Sequence, residues 1–387
     1  MRLGVANGGI VTGRQVLDAA TITVADGRIS AIDPGIDGNP DIDLEGGWLL
    51  PGFIDTQVNG GGGVLFNDDI SVAGIAAIGG AHARFGTTAF LPTLISDSPD
   101  RIEAALNAVD DAIAARVPGV VGVHIEGPFI NPAKRGIHEE DRIRALEPAL
   151  AGLLSRPRRG RVVLTLAPEQ VRPEHIAALV AQGVIVCAGH TNAGYDDVKA
   201  AIDAGLSGFT HLFNAMSPLT HRAPGVVGAA LDAPDCWCGL IVDNAHLHPA
   251  TVRIAIRAKG ADRIMLVTDA MPSVGTDARS FILQGKRIEV HDGICTYEDG
   301  TLAGSDLDMA TAFRNTAQIT GLAPPEVARM ASEAPAAFLG LSASHGSLAA
   351  GKRADWVVLD RSLRLRQTWI GGERLTGTAY NLALSGA

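Results

Sequence analysis

The feature that most constrains the fold of this chain is a series of eight short apolar runs separated by alanine-rich amphipathic segments. Each run resembles a buried parallel strand in length and composition, and each intervening segment has the periodicity of a helix that packs on one face. The runs are GFIDTQVNG (52–60), TTAFLPTL (87–94), VVGVHIEGPF (120–129), VVLTLAPE (162–169), VIVCAGHT (184–191), GFTHLFNA (208–215), GLIVDN (239–244) and IMLVTDAM (264–271). Eight such units predict an α/β fold of the TIM-like (β/α)8 barrel type over residues 51–344.

The two ends of the chain follow another pattern. Residues 1–50 contain alternating polar and apolar stretches broken by turn signals such as Asp26-Gly27, which is typical of short strands in hairpins. A similar pattern returns near the C-terminus. We therefore predict a small β-sandwich domain formed by residues 1–50 and 345–387 together. The strand-like stretch 276–301 predicts a hairpin inserted after the eighth barrel strand.

Composition and charge narrow the possible partners. The formal net charge of −10 and the lack of a basic block argue against a nucleic-acid surface, although a few local cations could still hold a small anion. The N-terminus lacks the pattern of a signal peptide, and no apolar run is long enough to span a bilayer, so we expect a cytoplasmic protein without membrane contact. Cys236 and Cys238 are interpreted as buried thiols, with a soft metal pair as the alternative.

Ionisable residues fall at the predicted carboxyl ends of several barrel strands, where the active sites of such barrels lie. They are Asp55, His124, Glu126, His190, His211, Asp243, His246 and Asp269. Burying such groups together is costly without a compensating charge, and a divalent cation is the natural one. The sequence therefore predicts a metal site with Glu126, His190 and His211 as ligands, leaving a coordination position open for water.

Asp269 is the candidate acid/base, because a carboxylate beside activated water can accept its proton and return it to a leaving group. A helix N-cap is the alternative for Asp269. His124 shares a strand face with Glu126 and is interpreted either as a ligand or as a neighbour of the ligands. Gln57 and Asn59 end the first strand with amides, which are poor ligands for zinc-like ions.

Taken together, these motifs resemble the N-acetylglucosamine-6-phosphate deacetylases of the amidohydrolase superfamily. The segments that carry the resemblance are PGFIDTQVNGGGG (51–63), HIEGPFINPAKRGIH (124–138), AGHTNA (188–193), THLFNAMSPL (210–219), HRAPG (221–225), DNAHLHP (243–249), VTDAM (267–271), TLAGS (301–305) and GSLAAGKRADWVVLD (346–360). They occur in the family's order over nearly the whole chain. Many members of the superfamily carry His-x-His where this chain has Gln57 and Asn59, and that pair binds a second metal. The amides place this chain with the subset that lacks the pair, and the resemblance therefore implies one divalent metal ion per subunit.

The resemblance implies hydrolysis of the acetyl group of N-acetylglucosamine 6-phosphate, with Asp269 as the acid/base and Glu126, His190 and His211 as metal ligands. It implies that zinc, or else iron, cobalt or manganese, is bound, and that the enzyme is a homodimer. The substrate contacts that it implies are Ile137 and His138 at the carbonyl and sugar, Asn214, Ala215, Arg222 and His246 near the phosphate, and Leu302, Ala303 and Gly304 on the acetyl side. Arg222 has the planar fork that suits phosphate oxygens, and it could be supplied by the partner subunit.

Two other functions are weighed against this one. A cyclic-amide hydrolase such as a dihydroorotase or hydantoinase usually has His-x-His on strand one and often a carboxylated lysine at the end of strand four. Here strand four ends in Ala167-Pro168-Glu169, which disfavours that reading. A non-catalytic sugar-phosphate sensor would be expected to lack Asp269 or one of the metal ligands, and the sequence retains them all.

Overall fold

The computed structural model describes residues 1–376 and consists of a barrel, a sheet built from both termini and a smaller inserted sheet. The strands are β1 (Arg2–Thr12), β2 (Gln15–Ala25), β3 (Arg28–Pro34), β4 (Ile42–Asp43), β5 (Trp48–Pro51), β6 (Phe53–Val58), β7 (Gly60–Gly61), β8 (Val64–Leu65), β9 (Thr87–Ile95), β10 (Gly122–Glu126), β11 (Arg161–Leu166), β12 (Ile185–Ala188), β13 (Gly208–Phe209), β14 (Trp237–Leu240), β15 (Ile264–Leu266), β16 (Ser280–Leu283), β17 (Lys286–His291), β18 (Ile294–Thr296), β19 (Leu302–Ser305), β20 (Trp356–Leu359), β21 (Leu365–Ile370) and β22 (Glu373–Arg374).

Most of the helices lie between successive barrel strands. They are α1 (Val72–Ala83), α2 (Pro99–Ala114), α3 (Pro148–Leu154), α4 (Pro173–Ala181), α5 (Tyr195–Asp203), α6 (Gly225–Asp232), α7 (Pro249–Lys259), α8 (Met309–Thr320), α9 (Pro324–Ala328) and α10 (Ala334–Phe338). A π turn at Arg329–Glu333 joins α9 to α10, and 3-10 turns cover Pro132–Lys134, Glu140–Arg142 and Pro168–Gln170. Within residues 1–376, no helix combines the length and hydropathy needed to cross a bilayer.

The predicted barrel is confirmed. Strands β6 and β9 to β15 pair in parallel in sequence order, and each lies within or overlaps one of the eight apolar runs. A parallel bridge between Val58 and Ala270 closes the ring, and the Asp269 N–H donates to the Gln57 carbonyl over 3.0 Å. The core between strands and helices is mainly aliphatic and includes Phe53 stacked on Phe313 at a centroid distance of 5.4 Å.

Strands β12 to β15 are shorter than the apolar runs that predicted them. The polar residues at the ends of those runs therefore lie beyond the sheet, where the backbone is free to turn toward the barrel axis. His190, His211 and Asp269 have positive φ angles of 48°, 34° and 54°, a conformation that side chains with a Cβ rarely adopt. These sharp turns aim the three side chains at the mouth of the barrel.

The terminal strands form a second domain, as predicted. Strands β1 to β5 and β20 to β22 belong to one eight-stranded sheet, in which β5 pairs in parallel with β1 and antiparallel with β20. This sheet encloses an apolar core of its own, where Trp356 stacks on Trp369 at 5.2 Å. The division at residues 50/51 and 344/345 stays a prediction, and residues 377–387 of the predicted domain lie outside the described part of the chain.

The inserted segment is larger than the predicted hairpin. Strands β16 to β19 form a four-stranded antiparallel sheet, and its last strand returns to the barrel mouth. There Ser305 N–H donates to the Asp269 carbonyl over 2.9 Å, and Met271 N–H donates to the Ser305 carbonyl over 2.9 Å. The insertion therefore places Leu302–Ser305 beside the residues that follow the eighth barrel strand.

Candidate metal centre and active site

Three side chains from three barrel strands meet at the mouth of the barrel. The His190 Nε2 lies 3.2 Å and the His211 Nε2 3.0 Å from Glu126 Oε1, and the two nitrogens lie 3.1 Å apart. Ligand atoms around a tetrahedral ion with bonds of about 2.0–2.1 Å are separated by about 3.3 Å. The three residues predicted as ligands are thus brought together at distances close to those of a metal site.

The hydrogen bonding of His190 favours a cation at this point. Its Nδ1 lies 2.8 Å from the Lys134 carbonyl, which can only accept, so Nδ1 carries the proton and Nε2 presents a lone pair. That lone pair faces the Glu126 carboxylate. Two acceptors at 3.2 Å repel each other unless a positive charge lies between them, so this donor set fits a divalent ion.

The electrostatics agree with an ionised Glu126. Burial by itself would raise its pKa, but the neighbouring imidazoles of His190 and His211 outweigh burial and hold the pKa of Glu126 well below its usual value. The pKa of His211 is raised: burial opposes the shift, and the bond to Glu126 outweighs burial. The centre of the cluster therefore attracts positive charge.

The amides of the first strand act as hydrogen-bond donors. Gln57 Nε2 donates to both Glu126 oxygens over 3.2 and 3.1 Å and to Asp269 Oδ1 over 3.0 Å. Asn59 Nδ2 donates to the same Asp269 oxygen over 2.6 Å. Asp55 is a buried acceptor, and its Oδ2 accepts a hydrogen bond from the Thr268 hydroxyl over 2.6 Å. Burial raises the pKa of Asp55 to about 7.

Asp269 has the environment expected of a proton carrier. Burial raises the pKa of Asp269 to about 6, and the charge of Glu126 contributes to the rise. A carboxyl group with a pKa near neutrality can both accept and release a proton at working pH. The alternative of a helix N-cap does not apply, because α8 begins after Asp308, whose side chain accepts from Thr311 N.

The neighbouring cavity has a volume of about 360 Å³ and contains most of the predicted substrate contacts. Those that line it are Ile137, His138, Asn214, Ala215, His246, Leu302 and Gly304. Two predicted contacts do not: the Ala303 side chain is fully buried in the core of the inserted sheet, and Arg222 lies exposed on the loop before α6. Because strand residues alternate in direction, Ala303 faces away from the cavity while its neighbours face it.

Gly304 can only be glycine. Its φ is +60°, and a Cβ would lie 2.8 Å from the Asp269 carbonyl oxygen and 2.6 Å from Met271 Cε. The backbone of β19 thus approaches the acid/base candidate as closely as it does because residue 304 has no side chain.

His246 is held by a carboxylate. Its Nδ1 donates to Asp243 Oδ2 over 2.6 Å, which leaves Nε2 for the cavity. Burial would raise the pKa of Asp243, but the bond to His246 outweighs burial and lowers this pKa.

His124 lies beside the three predicted ligands. Its Nε2 bonds Thr165 over 2.7 Å, and its Nδ1 lies 3.4 Å from the Thr93 hydroxyl, so both ring nitrogens are engaged below the cluster. Burial lowers the pKa of His124 to about 4.

Sequence reasoning missed two residues of the site, Lys134 and Ser96. Lys134 lines the cavity, its carbonyl fixes His190, and its amino group donates to the Met216 carbonyl over 3.1 Å. Ser96, the residue after β9, contacts His138. Lys134 falls within one of the recognised segments, but Ser96 has no sequence signal beyond its place after an apolar run. The four cysteines are free and buried, as expected for structural thiols.

Comparison with known proteins gives the family. The family model described as "Amidohydrolase family" matches residues 48–375. The chain belongs to the amidohydrolase family. It is 43% identical over 372 residues to the N-acetylgalactosamine-6-phosphate deacetylase of Shewanella sp. (strain ANA-3), covering 95% of this chain and 94% of the relative. It is 41% identical over 349 residues to the N-acetylglucosamine-6-phosphate deacetylase of Homo sapiens, covering 86% and 84%.

Solved structures of similar proteins match this chain over nearly its whole length. The crystal structure of N-acetylglucosamine-6-phosphate deacetylase from Pasteurella multocida matches with a TM-score of 0.93 and 36% identity, over 97% of this chain and 100% of that one. A mutant enzyme of that name from Mycobacterium smegmatis, in complex with N-acetyl-D-glucosamine-6-phosphate, matches with a TM-score of 0.89 and 31% identity, over 96% and 99%.

The donor set predicts the metal content of the purified protein. After loading with zinc and desalting, we expect one ion per chain by elemental analysis, and His211→Ala should bring the content close to zero because a ligand is lost. His246→Ala is the matched control, since it removes a histidine from the same cavity and should retain the ion. Two tightly held ions per chain, or an unchanged content in His211→Ala, would contradict the assignment.

Proposed function

We propose that this protein hydrolyses the acetamido group of N-acetylglucosamine 6-phosphate to give glucosamine 6-phosphate and acetate, a step of amino-sugar catabolism and cell-wall recycling. One observation carries the proposal: a proton-carrying carboxyl, Asp269, and an imidazole, His138, face the same cavity beside a cluster suited to a metal ion. The names of the relatives supply the substrate class. We propose zinc as the ion and the cytoplasm as the compartment.

The residues of the chain divide the reaction between them. A divalent ion held by Glu126, His190 and His211 would supply Lewis acidity and an acidified water molecule. Asp269 takes the proton of the attacking water and transfers it to the amide nitrogen as the C–N bond breaks. His138 donates a hydrogen bond to the carbonyl oxygen as negative charge develops there.

The rest of the cavity orients the sugar phosphate. Asn214, the Ala215 backbone and His246 are proposed at the phosphate, where Lys134 adds a local positive charge in an otherwise acidic protein. Leu302 and Gly304 would line the acetyl side. Ala303 is left out of the proposed contacts as a side chain, because it is buried away from the cavity.

A second candidate substrate is N-acetylgalactosamine 6-phosphate, which differs in configuration at one sugar carbon. The relative from Shewanella, at 43% identity, carries that name, as does one from Escherichia coli O157:H7 at 37%. Both substrates present the same acetamido and phosphate groups, so the chemistry of Asp269 and His138 serves either.

Acetate release tests the proposal. The zinc-loaded protein should release acetate from at least one of the two 6-phosphates far faster than from the unphosphorylated sugars, and the ratio of kcat/KM between the epimers names the substrate. Asp269→Asn should lower kcat by about 10²- to 10⁴-fold, since it removes the proton carrier while retaining shape. Its zinc content should equal that of wild type. Full turnover in this variant would refute the role given to Asp269.

Arg222 is proposed to act in the neighbouring subunit of a homodimer. It is exposed and does not line the cavity of its own chain, yet its fork is suited to phosphate oxygens. Supply from a partner subunit would reconcile these two facts.

Complementation tests this arrangement. Arg222→Ala and Asp269→Asn chains are co-expressed with different tags, and mixed dimers are purified. If Arg222 acts across the interface, one site of each mixed dimer carries both lesions and the other carries none, so roughly half of the wild-type activity returns. Mixed dimers as inactive as the single variants would show that Arg222 acts in its own subunit. A failure to recover any mixed dimer would contradict the homodimer.

A further inference from the structure

His138 stands between two roles that exclude each other. Its ring lies 4.4 Å from that of His190, and one of its nitrogens groups with Glu126 and His190 within 4.8 Å, close enough to be considered as a metal ligand. The proposed function instead makes it a hydrogen-bond donor to the substrate carbonyl. A ligand nitrogen needs a free lone pair, whereas a donor nitrogen needs a proton.

The contacts of His138 Nδ1 decide between these roles. The Ser96 backbone N–H donates to His138 Nδ1 over 3.3 Å, and the Ser96 hydroxyl oxygen lies 2.7 Å from the same nitrogen. A backbone N–H can only donate, so Nδ1 must present its lone pair. The proton of the ring is then on Nε2, since a proton on Nδ1 would face the amide proton.

We propose that Ser96 is a positioning residue that fixes the tautomer of His138, making Nε2 a hydrogen-bond donor and excluding His138 from the metal ligands. His190 shows the opposite arrangement in the same site. Its Nδ1 faces a carbonyl, that of Lys134, so its Nε2 is left with the lone pair that a metal requires. The two adjacent imidazoles thus receive different functions from one backbone donor and one backbone acceptor.

The surroundings of Ser96 hold it in place. It is 1% exposed, and its carbonyl accepts from Gln284 Nε2 of the inserted sheet over 3.2 Å. Gly127 gives its hydroxyl room, because a Cβ at that position would lie 2.3 Å from Ser96 Oγ. The hydroxyl therefore lies between Gly127 and the His138 ring. It donates to His138 Nδ1, as does the backbone N–H of Ser96.

The tautomer can be observed without any substrate. The zinc-loaded wild-type protein, labelled with ¹⁵N-histidine, should show His138 with a protonated Nε2 and an unprotonated Nδ1. The signals are assigned from their loss in His138→Gln. A protonated Nδ1, or a metal-bound Nε2, would overturn the inference.

Metal content gives a second readout. His138→Gln should retain one zinc ion per chain, whereas the same substitution at His190 should remove it. Loss of zinc from folded His138→Gln, with the circular dichroism spectrum of wild type, would show that His138 is a ligand.

Turnover tests the link to the proposed function, on which the contact with the carbonyl rests. Ser96→Ala keeps the backbone N–H, so the tautomer should persist while kcat falls roughly fivefold, as expected for one lost hydrogen bond. Ser96→Thr restores the hydroxyl and should restore kcat. Ser98→Ala is the matched control, because this side chain caps α2 and has no bond to His138.

An unchanged kcat in Ser96→Ala would overturn the role of the hydroxyl. If neither 6-phosphate is hydrolysed by wild type, the proposed function fails, whereas the spectrum and the zinc content still decide the tautomer and the ligand set.

Discussion

Glu126 carries a negative charge in the interior of the barrel mouth, 2% exposed, and the arrangement of the site follows from this burial. An isolated buried carboxylate costs several kcal/mol, so it must be surrounded by donors and positive charge. The Gln57 amide donates to it over 3.2 and 3.1 Å, the imidazoles of His190 and His211 lie within 3.2 Å of it, and a divalent ion is the charge that fits this set. Without the Glu126 carboxylate, the site would lack the negative charge that holds a cation in front of the His190 lone pair.

The same charge sets the state of Asp269. Two buried carboxylates near each other cannot both ionise freely, and the pKa of Asp269 rises to about 6 from burial and the charge of Glu126. Gln57 donates to both groups, and Asn59 adds a donor to Asp269. Gln57 and Asn59 thus have a role beyond replacing a histidine pair. Their amides hold the Glu126 and Asp269 carboxylates in fixed positions relative to each other.

Backbone geometry brings the side chains of the site together at the mouth of the barrel. His190, His211 and Asp269 follow short strands and turn at positive φ, a conformation that costs on the order of 1–3 kcal/mol for a residue with a Cβ. Ladder bonds on either side hold the turns, among them the Asp269 N–H to the Gln57 carbonyl. The apolar core of the barrel offsets this local cost, so the strained turns persist where the chemistry requires them.

The sequence by itself determined the barrel, because buried strands repeat as apolar runs, and it determined that Glu126, His190, His211 and Asp269 meet, because the carboxyl ends of parallel strands share one face. Only the tertiary structure decided that Ala303 is buried, that Arg222 lies outside the cavity of its own chain, and which proton each imidazole carries. Ser96 and His138 lie 42 positions apart, and Lys134 and His190 lie 56 apart. Periodicity predicts which residues end a strand. A contact between two loops depends instead on how the whole barrel closes, so no local sequence pattern predicts it.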